Sequence, residues 1–138
     1  MIVLDTNVVS ELMKGEPSPA VMTWVRQQPV TELYTTSITE AEIFYGIELL
    51  PPGKRRETLV EAAEGTFTED FAGRVLAFDS DAAKIFARIA AHRRSLGKPI
   101  GHADAQIAAI VQTLSAKLAT RDVADFADCS IDVIDPWA

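Results

Sequence analysis

The sequence predicts an α/β protein, a three-layer α/β/α sandwich around a central, mostly parallel sheet of about five strands. Short apolar runs alternate along the chain with segments whose apolar residues recur at helical spacing. The first run, Ile2–Leu4, is aliphatic and branched throughout, as in a strand that is buried on both faces. Because parallel strands need a long crossover, usually a helix, the alternation favours a parallel sheet.

The first half of the chain supplies two strands and four helices of this pattern. Branched residues predict strands at 2–4 and 33–37, and apolar spacing predicts a helix that stops near Gly15. Ser18 is placed to cap a second helix, with Pro19 at its first position. Turn residues at 51–53 separate the two remaining helices, and Gly65 should break or end the later one. The predicted helices lie at 8–15, 19–28, 39–50 and 54–64.

The second half completes the alternation. Apolar runs predict strands at 75–78, 117–120 and 131–134. Asp79 or Ser80 is placed to cap a long helix at 81–96, and an alanine-rich and isoleucine-rich helix follows at 102–115. The chain should therefore form one domain over residues 1–138, a length that buries a sizeable core.

Composition narrows the class of protein. The single cysteine, Cys129, excludes a disulfide within the chain and suits a reducing compartment. There is no signal-peptide pattern and no apolar run near the ~20 residues of a membrane span. We therefore expect a cytoplasmic protein. The formal net charge of −7 means that any contact with nucleic acid must use local basic patches.

Four acidic residues fall where a site is expected in a parallel sheet. Asp5 and Asp122 end predicted strands, whereas Glu42 and Asp104 lie in the first turns of predicted helices. If these ends share one edge of the sheet, the carboxylates converge and repel one another unless a cation lies between them. Hard oxygen ligands of this kind suit Mg²⁺ or Mn²⁺.

Each acid also has a simpler interpretation. Asp5 and Asp122 can each cap a helix, and Glu42 completes a capping box with Thr39. Asp125 lies one turn beyond Asp122 and competes with it for the fourth position. Asp104 is the stronger indication of a functional site, because it shares a helical face with apolar residues. A carboxylate on such a face is costly unless it is paired or metal-bound.

Hydroxyl and basic side chains give weaker signals. Thr6 and Thr120 each adjoin a strand-end acid, where a hydroxyl can hold a metal-bound water or simply cap a helix. Arg93, Arg94 and Lys98 form a solvated helix face or, alternatively, contact RNA phosphates along a groove. Zinc is not expected, because no histidine pair or cysteine cluster is present.

Four segments together resemble one family. They are 2–7 (Ile-Val-Leu-Asp-Thr-Asn), 37–47, 93–109 with its Asp-Ala-Gln-Ile-Ala-Ala run, and 118–126. The combination resembles the PIN-domain ribonucleases, and within them the VapC-type toxins of the FitB-like subgroup, over the full chain. The resemblance implies metal-dependent endonucleolytic cleavage of RNA with Asp5, Glu42, Asp104 and Asp122 as the acidic quartet. Many relatives have asparagine at the position of Asp122, which leaves open whether Asp122 or Asp125 completes the metal site.

The resemblance also implies partners. They are a VapB-type antitoxin, a second copy in a homodimer, a higher assembly with the antitoxin, and operator DNA reached only through the antitoxin. An alternative function is a catalytically weak partner in that DNA-binding regulatory complex. A phosphatase of the haloacid dehalogenase type is disfavoured, because it needs a second aspartate where this chain has Asn7.

Overall fold

The computed structural model describes all 138 residues and contains five strands and six α-helices. The strands are β1 (Ile2–Leu4), β2 (Leu33–Thr36), β3 (Val75–Leu76), β4 (Lys117–Ala119) and β5 (Asp132–Ile134). The helices are α1 (Thr6–Leu12), α2 (Pro19–Arg26), α3 (Ser37–Glu48), α4 (Lys54–Gly65), α5 (Ser80–Ser95) and α6 (His102–Thr113). The predicted order of elements is confirmed, with most boundaries shifted by one to three residues.

The sheet is parallel throughout, in the order β3-β2-β1-β4-β5. The first strand of the chain thus occupies the centre, between β2 and β4. Its register places Val3 beside Leu118 and Leu4 beside Ala119. The ladder continues one residue further, where the Asp5 amide donates to the Ala119 carbonyl at 2.9 Å. This pairing fixes which side chains emerge together at the carboxyl edge of the sheet.

Two apolar clusters cover the two faces of this sheet. Because successive strand residues point to opposite faces, Val3 and Leu118 lie in one cluster and Leu4 and Ala119 in the other. The first cluster also contains apolar residues of α5 and α6, and the second contains those of α1 to α4. These three layers confirm the predicted α/β/α sandwich. None of the helices combines the length and apolar character that a membrane span requires.

One local prediction is confirmed and another is wrong. The α-helix α4 ends at Gly65, as predicted, although Gly65 has ordinary helical dihedral angles and the chain continues through a π-helical turn, Thr66–Asp70. Glycine costs a helix only about 1 kcal/mol, and buried Phe67 and Phe71 pack into the core immediately afterwards. The expected capping box of Thr39 and Glu42 does not begin α3, because Thr36 is the N-cap and its hydroxyl accepts from the Thr39 amide at 3.1 Å.

Candidate active site

Asp5 leaves the central strand and is buried, with only 4% of its surface exposed. One carboxylate oxygen, Oδ1, accepts the Thr6 amide at 2.8 Å, and the other, Oδ2, accepts the Thr120 hydroxyl at 2.7 Å. Burial raises the pKa of Asp5, these hydrogen bonds partly offset the rise, and the charges of Glu42 and Asp122 add to it. The capping interpretation and the site interpretation of Asp5 are therefore compatible, because the same carboxylate caps α1 and lies near the charges of Glu42 and Asp122.

Asp122 is linked to Asp5 through two uncharged side chains. The Thr120 hydroxyl, which donates to Asp5, accepts from the Asn7 side-chain amide at 3.2 Å and from the Asp122 backbone amide at 3.1 Å. Asn7 Nδ2 also donates to Asp122 Oδ2 at 3.1 Å. Sequence reasoning used Asn7 only to disfavour a phosphatase and missed this role. The sequence signal for this role was the position of Asn7, which lies in the first turn of α1 and only three residues after the end of β1 at Leu4.

Glu42 lies in the second turn of α3, not in the predicted first turn, because the helix begins at Ser37. Its side chain is exposed and accepts the Thr6 hydroxyl at 2.7 Å. Thr6 Oγ1 is also 3.0 Å from Thr39 Oγ1, and buried Thr36 lies behind at 3.4 Å from the same Thr39 hydroxyl. The hydroxyls of Thr36, Thr39 and Thr6 thus form a row from the end of β2 to Glu42. Glu42 itself does not cap α3, whose N-cap is Thr36.

Asp104 lies in the first turn of α6, as predicted, and is half-buried. Its pKa rises to about 6, first because burial disfavours the charged carboxylate and then because four other carboxylates repel it. In decreasing order of effect, those neighbours are Asp5, Asp125, Glu42 and Asp122. The structure therefore brings the predicted quartet to one edge of the sheet.

Asp125 also belongs to this acidic group. It lies in a short 3-10 turn, Val123–Phe126, and acts on Asp104 more strongly than Asp122 does. Asp122, in contrast, is the acid that Asn7 connects to the Asp5 side of the site. Both candidates for the fourth position thus act on Asp104, and Asp122 also raises the pKa of Asp5.

The donor set fits a hard divalent cation. Every candidate ligand is a carboxylate or hydroxyl oxygen, the type that Mg²⁺ and Mn²⁺ prefer. With the side chains placed as they are, no three Asp, Glu, His or Cys residues form a ready-made metal-binding cluster. Mg²⁺ does not need such a cage, because it usually retains several waters and binds through one or two carboxylates. A cation would also relieve the repulsion that raises the pKa of Asp104.

A groove of about 470 Å³ extends from this edge between α1 and α3. Thr6 and Glu42 form part of its wall, and Lys14 supplies a cation. Apolar side chains such as Met13 and Leu50 line the rest. The groove is therefore mixed in character, and Glu42 is the acidic residue of the site that lines it.

The three basic residues predicted to contact RNA do not form one surface. Arg94 and Lys98 are exposed, and Lys98 Nζ lies 3.9 Å from Asp128 Oδ2. Arg93 is instead buried, with 7% of its surface exposed, and its guanidinium donates to backbone carbonyls. This placement argues against the predicted phosphate contact of Arg93.

The chain is thus an α/β protein of the class that carries a cluster of carboxylates at the carboxyl edge of a parallel sheet. A family model described as the PIN domain matches residues 2–130. The chain is 44% identical over 137 residues to a VapC ribonuclease of Sinorhizobium fredii, covering 99% of this chain and 98% of the relative. It is 39% identical over 137 residues to toxin FitB of Neisseria gonorrhoeae, covering 99% of each.

Structural comparison agrees with these matches. A solved chain of FitAB bound to a DNA fragment superposes with a TM-score of 0.91 at 38% identity, covering 100% of this chain and 96% of that one. The chain belongs to the PIN-domain family. The predicted resemblance to VapC-type and FitB-like members is confirmed.

Proposed function

We propose that this chain is a metal-dependent endoribonuclease that hydrolyses RNA phosphodiesters, and that it is the toxin of a toxin–antitoxin pair. The observation that carries the proposal is the convergence of Asp5, Glu42, Asp104 and Asp122 at one edge of the sheet. Burial raises the pKa of Asp104 to about 6 together with the charges of its acidic neighbours. The family supports it, since relatives at 44% and 39% identity are a VapC ribonuclease and the toxin FitB.

The residues that would hold Mg²⁺ or Mn²⁺ are Asp5 and Asp104, with Glu42 and either Asp122 or Asp125 completing the group. When bound, such an ion lowers the pKa of a water and stabilises negative charge on a phosphodiester. The protein supplies orientation. Thr120 keeps its proton directed at Asp5 Oδ2, and Thr6 keeps its proton directed at Glu42 Oε1. Both carboxylates are thereby held with a defined rotamer and an open lone pair.

The groove that extends from the carboxyl edge of the sheet also supports the binding of a partner protein. The groove between α1 and α3 has apolar side chains such as Met13 and Leu50 in its wall and the carboxylate of Glu42 beside them, which suits an antitoxin segment with apolar anchors and a basic side chain. The family resemblance supports a VapB-type antitoxin and a homodimer. The matched solved chain belongs to a FitAB complex, which supports a two-protein assembly here.

The test is cleavage of RNA by antitoxin-free protein in Mg²⁺ or Mn²⁺, compared with EDTA. We expect Asp5→Asn and Asp104→Asn each to lower the rate at least ~100-fold, at the upper end of losses for groups that organise a metal site. Asp132→Asn is the matched control, because exposed Asp132 begins β5 at the opposite edge of the sheet. Full activity in both site variants would exclude the proposal.

A second candidate is the regulatory role, in which the chain has little catalysis and acts with its antitoxin on operator DNA. The DNA in the matched FitAB structure favours it. The net charge of −7 favours DNA contacts that the antitoxin supplies. Purified chain that cuts no RNA in any divalent metal, yet tightens an antitoxin–operator complex in a gel-shift assay, would support this role instead.

A further inference from the structure

Arg93, in the last turn of α5, is the only basic side chain that is buried in the chain. Its Nε donates to the Lys98 carbonyl at 2.8 Å, and its Nη1 donates to the carbonyls of Asp125 and Ala127 at 2.8 and 2.9 Å. The Cys129 sulfur lies 3.7 Å from the same Nη1. No carboxylate forms a salt bridge with this guanidinium, so its partners are backbone carbonyls and the Cys129 sulfur.

Such an arrangement is costly unless the donors of the buried cation are satisfied. The planar guanidinium directs several donors at fixed angles, which lets one side chain reach carbonyls on two separate segments. A lysine ammonium is a point charge on a flexible stem and does not reproduce this fork. The geometry of Arg93 is thus specific to arginine and depends on where the two segments lie.

Both segments that Arg93 holds lead to acidic residues of the site. The first contains Lys98, whose amide also donates to the Arg93 carbonyl at 3.0 Å, and it leads into the α6 turn that contains Asp104. The second is the segment 122–127, which begins at Asp122 and contains Asp125. That second segment is secured at its start by Asn7, which donates to Asp122, and at its end by Arg93. Arg93 is the only side chain with hydrogen bonds to both segments.

We propose that Arg93 is a positioning residue that sets the segment 122–127 against Asp104, and so determines how tightly the acids bind a divalent cation. The inference rests on the proposed metal-dependent function and deepens it. It also replaces the predicted phosphate contact, since a guanidinium enclosed by carbonyls acts on RNA only through the acids that it aligns.

The experiment compares Arg93→Lys with Arg94→Lys in the full chain. Both substitutions keep the charge, but only Arg93 is buried and bonded, whereas its neighbour Arg94 is exposed. Two properties are measured without RNA: amide hydrogen exchange over residues 122–127, and Mn²⁺ affinity by calorimetric titration. We expect Arg93→Lys to accelerate exchange in that segment and to weaken Mn²⁺ binding by ~10-fold or more. Arg94→Lys should leave both at the wild-type value.

RNA cleavage provides a third readout for Arg93. A positioning role predicts that Arg93→Lys needs a higher Mn²⁺ concentration for half-maximal cleavage and recovers most of its rate at saturation. Wild-type Mn²⁺ affinity in Arg93→Lys, or exchange that accelerates equally in every element, would reduce Arg93 to general stabilisation and overturn the proposal. If Arg93→Lys does not fold, Arg93→Gln keeps two N–H donors without a charge to bury, and the same outcomes apply.

The two proposals fail differently. A wild-type chain that binds Mn²⁺ but cuts no RNA would refute the nuclease proposal while exchange and affinity still test Arg93. A wild-type chain that binds no Mn²⁺ would overturn both.

Discussion

The hydroxyl of Thr120 donates a 2.7 Å hydrogen bond to Asp5 Oδ2 and so joins the ends of β4 and β1. The pairing of Leu4 with Ala119 puts the two residues side by side at the sheet edge. Both are buried, at 0% and 4% exposure. Asp5 thus obtains in the protein interior a donor that water would otherwise supply, and this hydrogen bond partly offsets the rise in the pKa of Asp5 that burial causes.

Thr120→Val should impair the site without opening a cavity. Valine keeps the shape but removes the hydroxyl, so Asp5 Oδ2 loses its donor and the pKa of Asp5 rises further. We expect Mn²⁺ affinity to fall ~10-fold, with a loss of about 1–3 kcal/mol in the free energy of unfolding. Thr120→Ser, which keeps the hydroxyl, is the control. Equal metal affinity in Thr120→Val and wild type would contradict the role of this bond.

Thr6 should matter to Glu42 in the same way. Glu42 is exposed, and the Thr6 hydroxyl at 2.7 Å is the hydrogen bond that restrains its side chain. Thr6→Val should lower the cleavage rate by ~10-fold, close to the effect of Glu42→Gln, whereas Thr6→Ser should remain near wild type. The double variant Thr6→Val with Glu42→Gln measures the coupling. Strictly additive losses would show that the two residues act independently.

Asp122 and Asp125 should be separable by two measurements. Because Asp125 acts more strongly on Asp104, Asp125→Asn should lower the pKa of Asp104 more than Asp122→Asn does, in a metal-free NMR titration. Because Asp122 is tied through Asn7 to the Asp5 side, Asp122→Asn should weaken Mn²⁺ binding more than Asp125→Asn does. The reverse order of metal affinities would assign the fourth position to Asp125.

The raised pKa of Asp104 predicts how stability depends on pH when no metal is bound. The folded chain holds the Asp104 proton with a pKa of about 6, against an ordinary value of 3.8 for the unfolded chain. Protonation therefore favours folding at low pH, and this contribution is lost as the pH rises from 3.8 to about 6. Above that window, the ionised group leaves the folded state less stable.

Urea unfolding in EDTA measures this effect against Asp104→Asn, which cannot ionise. As the pH rises from 3.8 to about 6, the free energy of unfolding of Asp104→Asn should increase relative to that of the wild type. At higher pH the difference between the two proteins should stay constant. Saturating Mn²⁺ should reverse the order, since the ion binds the charged carboxylate of the wild type. Parallel pH profiles for the two proteins in EDTA would refute the expectation, and Asp132→Asn controls for the general loss of one negative charge.

The order of elements was predictable because Ile2–Leu4 and the alternating segments after it follow simple periodicities. The edge at which the acids meet was predictable too, because parallel strands end together. Asp5 and Asp104 could be singled out from the sequence for this reason, by their positions at a strand end and on an apolar helical face.

Residues whose role depends on distant partners were not predictable in this way. The carbonyls that bind Arg93 lie up to 34 residues away in the chain, and the partners of Asn7 lie 113 and 115 residues away. Spacing along one helix does not reveal such contacts. The start of α3 was missed for a local reason, because several residues of 36–40 are competent caps and only tertiary packing selects Thr36.

The central position of β1 has a consequence for folding. The hydrogen bond at the base of the site joins two residues that are 115 positions apart in the chain. Closing so long a loop costs entropy that only the finished contact offsets, and non-local contacts of this kind slow folding. We therefore expect the helices to form before β4 joins β1, so that the acids meet only when the sheet is assembled.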